Sequence, residues 1–278
     1  MKLLFDNLSK EISKKTTRAY STSFSMGIRF LSKDIQQPIY NVYGFVRLAD
    51  EIVDSFHDFE KCRLLEEFRV STQLAIDRKI SLNPILNSFQ ETVHRYNITP
   101  DLIETFLDSM EMDLNKVEYT QENYEKYILG SAEVVGLMCL KIFLNGDQKE
   151  YERLKSDAMS LGSAFQKINF LRDLQADFKD LDRTYFPNVD MSKFNDVIKK
   201  EIEKDIEIDF AKGLEGIKKL PKKARFGTYM AYIYYYKLFV KIKNTKAESI
   251  LNERVRIPNN KKYMLFFSSF LRHKLNII

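Results

Sequence analysis

Three observations predict an all-α protein. Glycine and proline together supply only 15 of the 278 residues (9 and 6), about half the usual share, so helix breakers are scarce. Apolar residues recur at helical spacing along almost the whole chain, and alternating, strand-like runs are nearly absent. The few breakers stand where long helices would end. The pattern predicts helices over 8–31, 36–56, 60–78, 83–94, 100–114, 122–145, 148–177, 192–219, 222–243 and 261–275. Ser32-Lys33-Asp34 reads as a helix start, Asn145-Gly146-Asp147 as a turn, Phe186-Pro187-Asn188 as a stop, and Ile257-Pro258-Asn259-Asn260 as the lead into the last helix. No internal repeat, low-complexity tract or linker divides the chain, so a single domain over 1–278 is expected.

Charge and composition narrow the function. A content of 44% hydrophobic and 30% charged residues is that of a globular protein and excludes disordered and collagen-like classes. The net charge of +5 is small, and the basic pairs Lys199-Lys200, Lys218-Lys219 and Lys222-Lys223 are interleaved with acids, so a nucleic-acid partner is not expected. The apolar stretch from Ile128 to Leu144 carries Glu133 and Lys141 and is shorter than the ~20 residues of a span, which makes it a buried helix. Cys62 and Cys139 form no CxxC pair, and His57, His94 and His273 are scattered, so neither zinc nor a disulfide framework is legible. With no signal-like apolar run at the start, a cytoplasmic protein with reduced thiols is expected.

Two segments interrupt the ordinary amphipathic pattern. In NVYGFVRLADEIVD, otherwise apolar on most faces, Tyr43, Arg47, Asp50 and Asp54 recur at i, i+4, i+7 and i+11, within roughly 60° on a helix of about 100° per residue. In GSAFQKINFLRDLQAD, Gln166, Asn169, Asp173 and Asp177 fall within roughly 80°. Carboxylates stacked on a buried face repel each other and need cations. Arg47 and Arg172 could meet that need as a structural ion-pair network. Alternatively, oxygen-only donors without His or Cys suit a hard cation such as Mg²⁺, bound through a few carboxylates, waters and substrate phosphates.

The runs YSTSFSMGIRFLSKD, YGFVRLADEIVD and FQKINFLRDLQADFKDLDRTYFP resemble the head-to-head prenyl synthases, the squalene/phytoene synthase family. DxxxD at 50–54 and NxxRDxxxD at 169–177 match in order and spacing. Weaker similarity in ILGSAEVVG, YYYKLFVKI and ERVRIPNNKK extends the likeness over nearly the whole chain. Two positions depart from the family pattern. Glu133 stands where a small residue is usual, and Thr184 where an aliphatic one precedes Tyr185.

The resemblance implies an isoprenoid-synthase-type helical bundle with a central cavity for two prenyl diphosphates. It implies metal ligation by Asp50, Asp54, Asn169, Asp173 and Asp177, with two or three Mg²⁺ ions and Mn²⁺ as a substitute. Catalytic roles fall to the four aspartates with Tyr43 and Arg47. Substrate binding falls to Tyr20, Ser21, Thr22, Ser23, Tyr43, Arg47, Asp50, Gln166, Arg172, Arg183, Tyr235 and Arg254. The implied reaction joins two geranylgeranyl diphosphates to phytoene through a cyclopropylcarbinyl diphosphate, without NADPH. Dehydrosqualene or squalene synthesis from farnesyl diphosphate is the alternative, and a noncatalytic prenyl-lipid-binding factor is a third. Carbocation chemistry needs a dry, unreactive wall, for which Phe24, Phe45, Phe165, Phe170, Tyr232, Tyr235, Tyr236 and Phe239 are the aromatic candidates, most of them ordinary core. Ile28, five residues past Ser23, is expected beside the prenyl tail. The segment YMLFFSSFLRHKLNII, with Lys261, Lys262, Arg272, His273 and Lys274, suits either packing on the bundle or resting on an anionic membrane.

Overall fold

A computed structural model describes residues 1–115, 119–179, 185–187, 189 and 193–257, with the backbone alone for 177–179. Among them there is no strand. The helices are α1 (Lys2–Tyr20), α2 (Thr22–Arg29), α3 (Lys33–Ser55), α4 (Lys61–Arg78), α5 (Pro84–Tyr96), α6 (Pro100–Met112), α7 (Gln121–Ile128), α8 (Val134–Phe143), α9 (Gln148–Lys179), α10 (Asp196–Lys219), α11 (Lys222–Lys243) and α12 (Ala247–Asn252). A π-helical turn, Leu129–Glu133, joins α7 to α8.

Most predicted helices are present with ends moved by a few residues. The helix expected over 8–31 is instead two: Ser21 is extended (φ −141°, ψ 105°), and its side chain accepts a hydrogen bond from the Phe24 N–H, capping α2. A serine flanked by helix-compatible residues gives no periodicity break, so only its capping chemistry marks the boundary. The short α12 was not expected. The predicted helix 261–275 lies outside the described residues.

Two apolar cores flank a central space. One joins α3 to α6 and α8 around Phe45, whose ring stacks on Phe89 (centroids 4.0 Å apart, 3° between planes) and meets Phe106. The other joins α7 and α9 to α12 around Phe170, Phe210 and Phe239. On α1 the buried face is polar: Ser9, Ser13 and Thr17 are fully buried. Ser13 hydrogen-bonds Ser88, Asn87 reaches Ser9, and Thr17 bonds back to the Ser13 carbonyl. Such short side chains let α1 approach closely; a Cβ on Gly44 of α3 would stand 3.0 Å from that of Ser13.

Close approach elsewhere is specific. A Cβ on Gly130, in the π-helical turn, would lie 2.4 Å from the Ser109 Cβ and 2.5 Å from the Thr105 carbonyl oxygen of α6. On Gly27 it would meet nothing nearer than 3.4 Å. Gly130→Ala should therefore lower unfolding stability by about 1–3 kcal/mol through overpacking. Gly27→Ala should be neutral or gain up to about 1 kcal/mol from helix propensity. Urea denaturation of both variants checks the contrast, which equal effects would contradict.

Candidate active site

The Ser21 cap turns the chain so that α2 lays Phe24, Gly27 and Ile28, and the turn after it Leu31, along a central cavity of about 310 Å³. These four positions follow helical i, i+3, i+4 and i+7 spacing. Ile39, Val42, Tyr43 and Val46 of α3 face the same space, as do Leu154, Leu161, Phe165, Gln166 and Asn169 of α9. From Leu154 to Asn169 the wall is 15 helical residues long, about 22 Å. Six of the nine glycines line it: Gly27, Gly136, Gly162, Gly213, Gly216 and Gly227.

The polar groups concentrate at one end. Tyr43 lies beside Phe24 (centroids 5.4 Å apart), and Tyr235 stacks on Phe165 (4.0 Å, 14°). The Tyr235 hydroxyl donates to Asn169 Oδ1 at 3.3 Å, and Asn169 Nδ2 donates to Gln166 Oε1 at 3.3 Å. Burial raises the pKa of Tyr43, and pushes that of Tyr235 up to about 12. Both phenols therefore stay neutral donors at ordinary pH. Arg172 acts electrostatically on Tyr43 of α3 and on Tyr235 of α11, so the two polar stripes meet across this end.

Beyond the tyrosines stand the carboxylates. Asp50 is about 10 Å further along α3 than Tyr43, and Asp173 about 10 Å further along α9 than Gln166. Arg47 pairs through Nη1 with Asp50 and through Nη2 with Glu51, and its guanidinium lies 4.2 Å from the Tyr20 ring centroid. Arg172 forks onto Asp173 (2.9 and 2.5 Å), and Arg254 Nε reaches the same carboxylate at 2.6 Å. Burial, then repulsion from Asp54, pushes Asp50 up to about 7 despite Arg47. The donor Nε of Arg47 is buried without a partner among the described residues.

These positions sort the sequence-derived candidates. Tyr43, Arg47 and Asp50 share one face of α3 with Asp54, and Gln166, Asn169, Arg172 and Asp173 gather on α9 with Tyr235 and Arg254. Tyr20 is exposed over Arg47, Ser21 is the cap, and Thr22 and Ser23 begin α2. Asp177 is in α9, but its side chain lies outside the described residues, as does all of Arg183. Among the described residues no three carboxylate, His or Cys groups form one metal cluster. Of the five expected ligands, Asp50 and Asp54 lie on α3 and Asn169 and Asp173 on α9, as the two stripes require. The donors nevertheless fit a hard cation: they are oxygen groups, and Asp50 and Asp54 repel one another.

Of the aromatic candidates, Phe24, Phe165 and Tyr235 line the cavity, whereas Phe45, Phe170, Tyr232, Tyr236 and Phe239 do not. Those five are packed into the cores or, for Tyr236, partly exposed. Glu133 faces a separate surface hollow with Glu152, Lys155 and Asp209, so its departure from the family pattern does not alter the cavity wall. Thr184 lies outside the described residues. Glu51 and the glycine wall were missed. The i, i+4 spacing of Glu51 from Arg47 could have found the first.

The chain belongs to the squalene/phytoene synthase family, whose model matches residues 17–261. It is 29% identical over 177 residues to a phytoene synthase of Pseudescherichia vulneris, covering 60% of this chain and 56% of that one. Identity to a 4,4'-diapophytoene synthase of Staphylococcus haemolyticus is 26% over 194 residues (67% and 65%). Against a phytoene synthase of Arthrospira platensis it is 24% over 294 aligned positions (96% and 94%). The chain thus spans little more than half of the first relative and just under two thirds of the second. The fold is that of a ligand-bound dehydrosqualene synthase (TM-score 0.82, 19% identity, 97% and 98% covered) and of a squalene synthase from Alicyclobacillus acidocaldarius (0.74, 19%, 85% and 93%).

The raised Asp50 value has a consequence for stability. A carboxyl whose folded-state value lies above its unfolded one favours folding when protonated, so its contribution is lost as pH rises from about 4 through about 7. Asp50→Asn should therefore be more stable than wild type above pH 7 and indistinguishable from it below pH 4. The gain is modest, because 34% of the side chain remains accessible. Thermal melts across pH check this; a variant less stable at pH 8 would mean that the Arg47 pair outweighs the repulsion.

Proposed function

We propose that the protein is a head-to-head prenyl synthase that joins two geranylgeranyl diphosphates to phytoene. The observation that carries this reading is the pairing of a long apolar cavity with one polar end holding two aspartate stripes and three arginines. An apolar tail fits the first part and a diphosphate the second.

Ionising an allylic diphosphate separates a carbocation from a highly charged leaving group, so charge neutralisation is the main barrier-lowering requirement. The unpartnered Nε of Arg47 is available to a phosphate oxygen. Arg172 and Arg254 would exchange part of their hold on Asp173 for the diphosphate. Asp50, Asp54 and Asp173 would hold Mg²⁺, which supplies neutralising charge to the leaving group when bound. Neutral Tyr43 and Tyr235 would orient the head group by donating hydrogen bonds. The walls of Phe24, Phe165, Ile28 and the glycines exclude water that would quench the cation. The second chain's double bond would then attack the cation, a proton being lost as the cyclopropylcarbinyl diphosphate closes; loss of the second diphosphate, rearrangement and loss of a second proton give the hydrocarbon. No nicotinamide is needed for a reaction ending in proton loss.

The likeness to a diapophytoene synthase supports a second reading, with two farnesyl diphosphates as substrates. Incubating the protein with each diphosphate and Mg²⁺, with or without NADPH, and identifying the hydrocarbon by mass spectrometry separates the readings. Phytoene without NADPH is expected. A C30 product would replace the donor, a strict NADPH requirement would indicate squalene synthesis, and no consumption of either diphosphate would overturn the enzymatic reading.

Asp50→Asn and Asp173→Asn should each reduce turnover by about 10²-fold or more while retaining helical circular dichroism, and EDTA should abolish activity. Near-normal turnover in either variant, or activity surviving EDTA, would refute the charge-neutralising role.

Ile28 lines the cavity some five helical residues, about 7.5 Å, beyond Ser23. Ile28→Phe should penalise geranylgeranyl diphosphate more than farnesyl diphosphate, by roughly 1–3 kcal/mol in kcat/KM. An unchanged ratio of the two would remove Ile28 from the tail channel.

A further inference from the structure

The cavity wall contains one charge that the proposed reaction leaves unused. On α9 the lining residues Leu154, Asp157, Ala158, Leu161, Phe165 and Asn169 form a single helical stripe, and Asp157 is the one charged side chain among the described residues that line the space. It stands about 18 Å along α9 from Asn169, at the end away from the carboxylates of the polar stripes.

The wall on this side is shared with α10, which runs antiparallel to α9: Lys167 meets Asp209, Leu161 meets Gly213, and Asp157 meets Lys219. A Cβ on Gly216 would stand 2.5 Å from the Asp157 Cβ and 3.4 Å from its Oδ2. The missing side chain at Gly216 is therefore what lets the carboxylate lie between the two helices beside the cavity. Lys219, one turn beyond Gly216, donates to Asp157 Oδ2 at 2.9 Å. Arg153 also feels the Asp157 charge but forks onto Glu150. Asp157 and Lys219 keep 20 and 43% of their side-chain surface exposed, so the pair adds little to stability. What distinguishes it from other surface pairs is its place in an apolar wall.

Tail length decides which substrate meets it. Each isoprene unit adds four carbons to the chain, roughly 5 Å at full extension with C–C bonds of about 1.5 Å. From the level of Asn169, three units reach at most roughly 15 Å and four roughly 20 Å. The first falls short of Asp157; the second passes it.

We infer that Asp157 is a chain-length determinant, felt by the last isoprene unit of a C20 tail and beyond the reach of a C15 tail. The inference rests on the proposed reading that a prenyl diphosphate lies along α9 with its head at the aspartates. An apolar chain end laid against the carboxylate strips water from it without supplying a partner, which is unfavourable. Burial of the fourth unit against Leu154, Ile217 and Leu220 opposes that cost. The ion pair thereby narrows the preference for C20 that burial alone would give. Ile28 acts on the tail by bulk and Asp157 by charge, so the two effects are separable.

Binding of the non-ionising S-thiolodiphosphate analogues of farnesyl and geranylgeranyl diphosphate, with Mg²⁺, is measured by titration calorimetry, which needs no turnover. Asp157→Leu keeps the branching of the side chain and removes its charge. It should tighten the C20 analogue by about tenfold relative to the C15 analogue, the low end for an apolar contact in a pocket. Lys219→Met leaves the carboxylate without its pair and should move the same ratio the opposite way, by about threefold or more. Asp157→Asn serves should the leucine variant fail to fold, and should move the ratio in the leucine direction. The inference is overturned if these variants leave the ratio unchanged, or if both analogues weaken or tighten in parallel, as a merely structural role would give. Failure of wild type to bind either analogue would overturn the prenyl reading itself, and the inference with it.

Discussion

Holding carboxylates against one another at the mouth of an apolar space is the constraint on which the arrangement depends. Asp50 is pressed toward neutrality by burial and by Asp54. The structure offsets this with arginines supplied locally, Arg47 from the same helix and Arg172 from the residue beside Asp173. Because each stripe carries its own cation, the repulsion between the carboxylates of α3 and α9 is reduced as the helices come together. The arginines are nevertheless incompletely satisfied, as the orphaned Arg47 Nε shows. A site balanced in this way is poised to exchange internal ion pairs for an external anion and its counter-cation.

The cavity imposes the second demand. A space of about 310 Å³ is held between two aromatic cores, in one of which the Phe45 and Phe89 rings stack 4.0 Å apart. The pocket's walls are firm because they are the faces of those close-packed cores.

Much of this was legible in the sequence, for identifiable reasons. Long helices follow from apolar periodicity and scarce breakers, and the stripes of α3 and α9 stand out because charged residues at i, i+3 or i+4 spacing break an otherwise apolar face. The Ser21 break was hidden, since it depends on one capping hydrogen bond and interrupts no pattern. Helix α1 defied the usual rule by burying Ser9, Ser13 and Thr17; the first two meet Asn87 and Ser88 of α5, and Thr17 bonds back to the Ser13 carbonyl. That most of the aromatic candidates are core was legible, but not which of them face the cavity, because periodicity cannot distinguish a face turned to a cavity from one turned to a core; Phe165 and Phe170 of α9 lie on opposite sides of that distinction.

The glycine wall fixes how near the helices around the cavity can come. A Cβ would lie 2.8 Å from the Ala132 carbonyl oxygen at Gly162, 2.5 Å from the Asp157 Cβ at Gly216 and 2.4 Å from Leu31 at Gly227. Such positions are closed to larger residues unless whole helices move apart. Change in the shape of the bore is thereby channelled to positions that already carry side chains, such as Phe24 and Ile28, and away from the glycines.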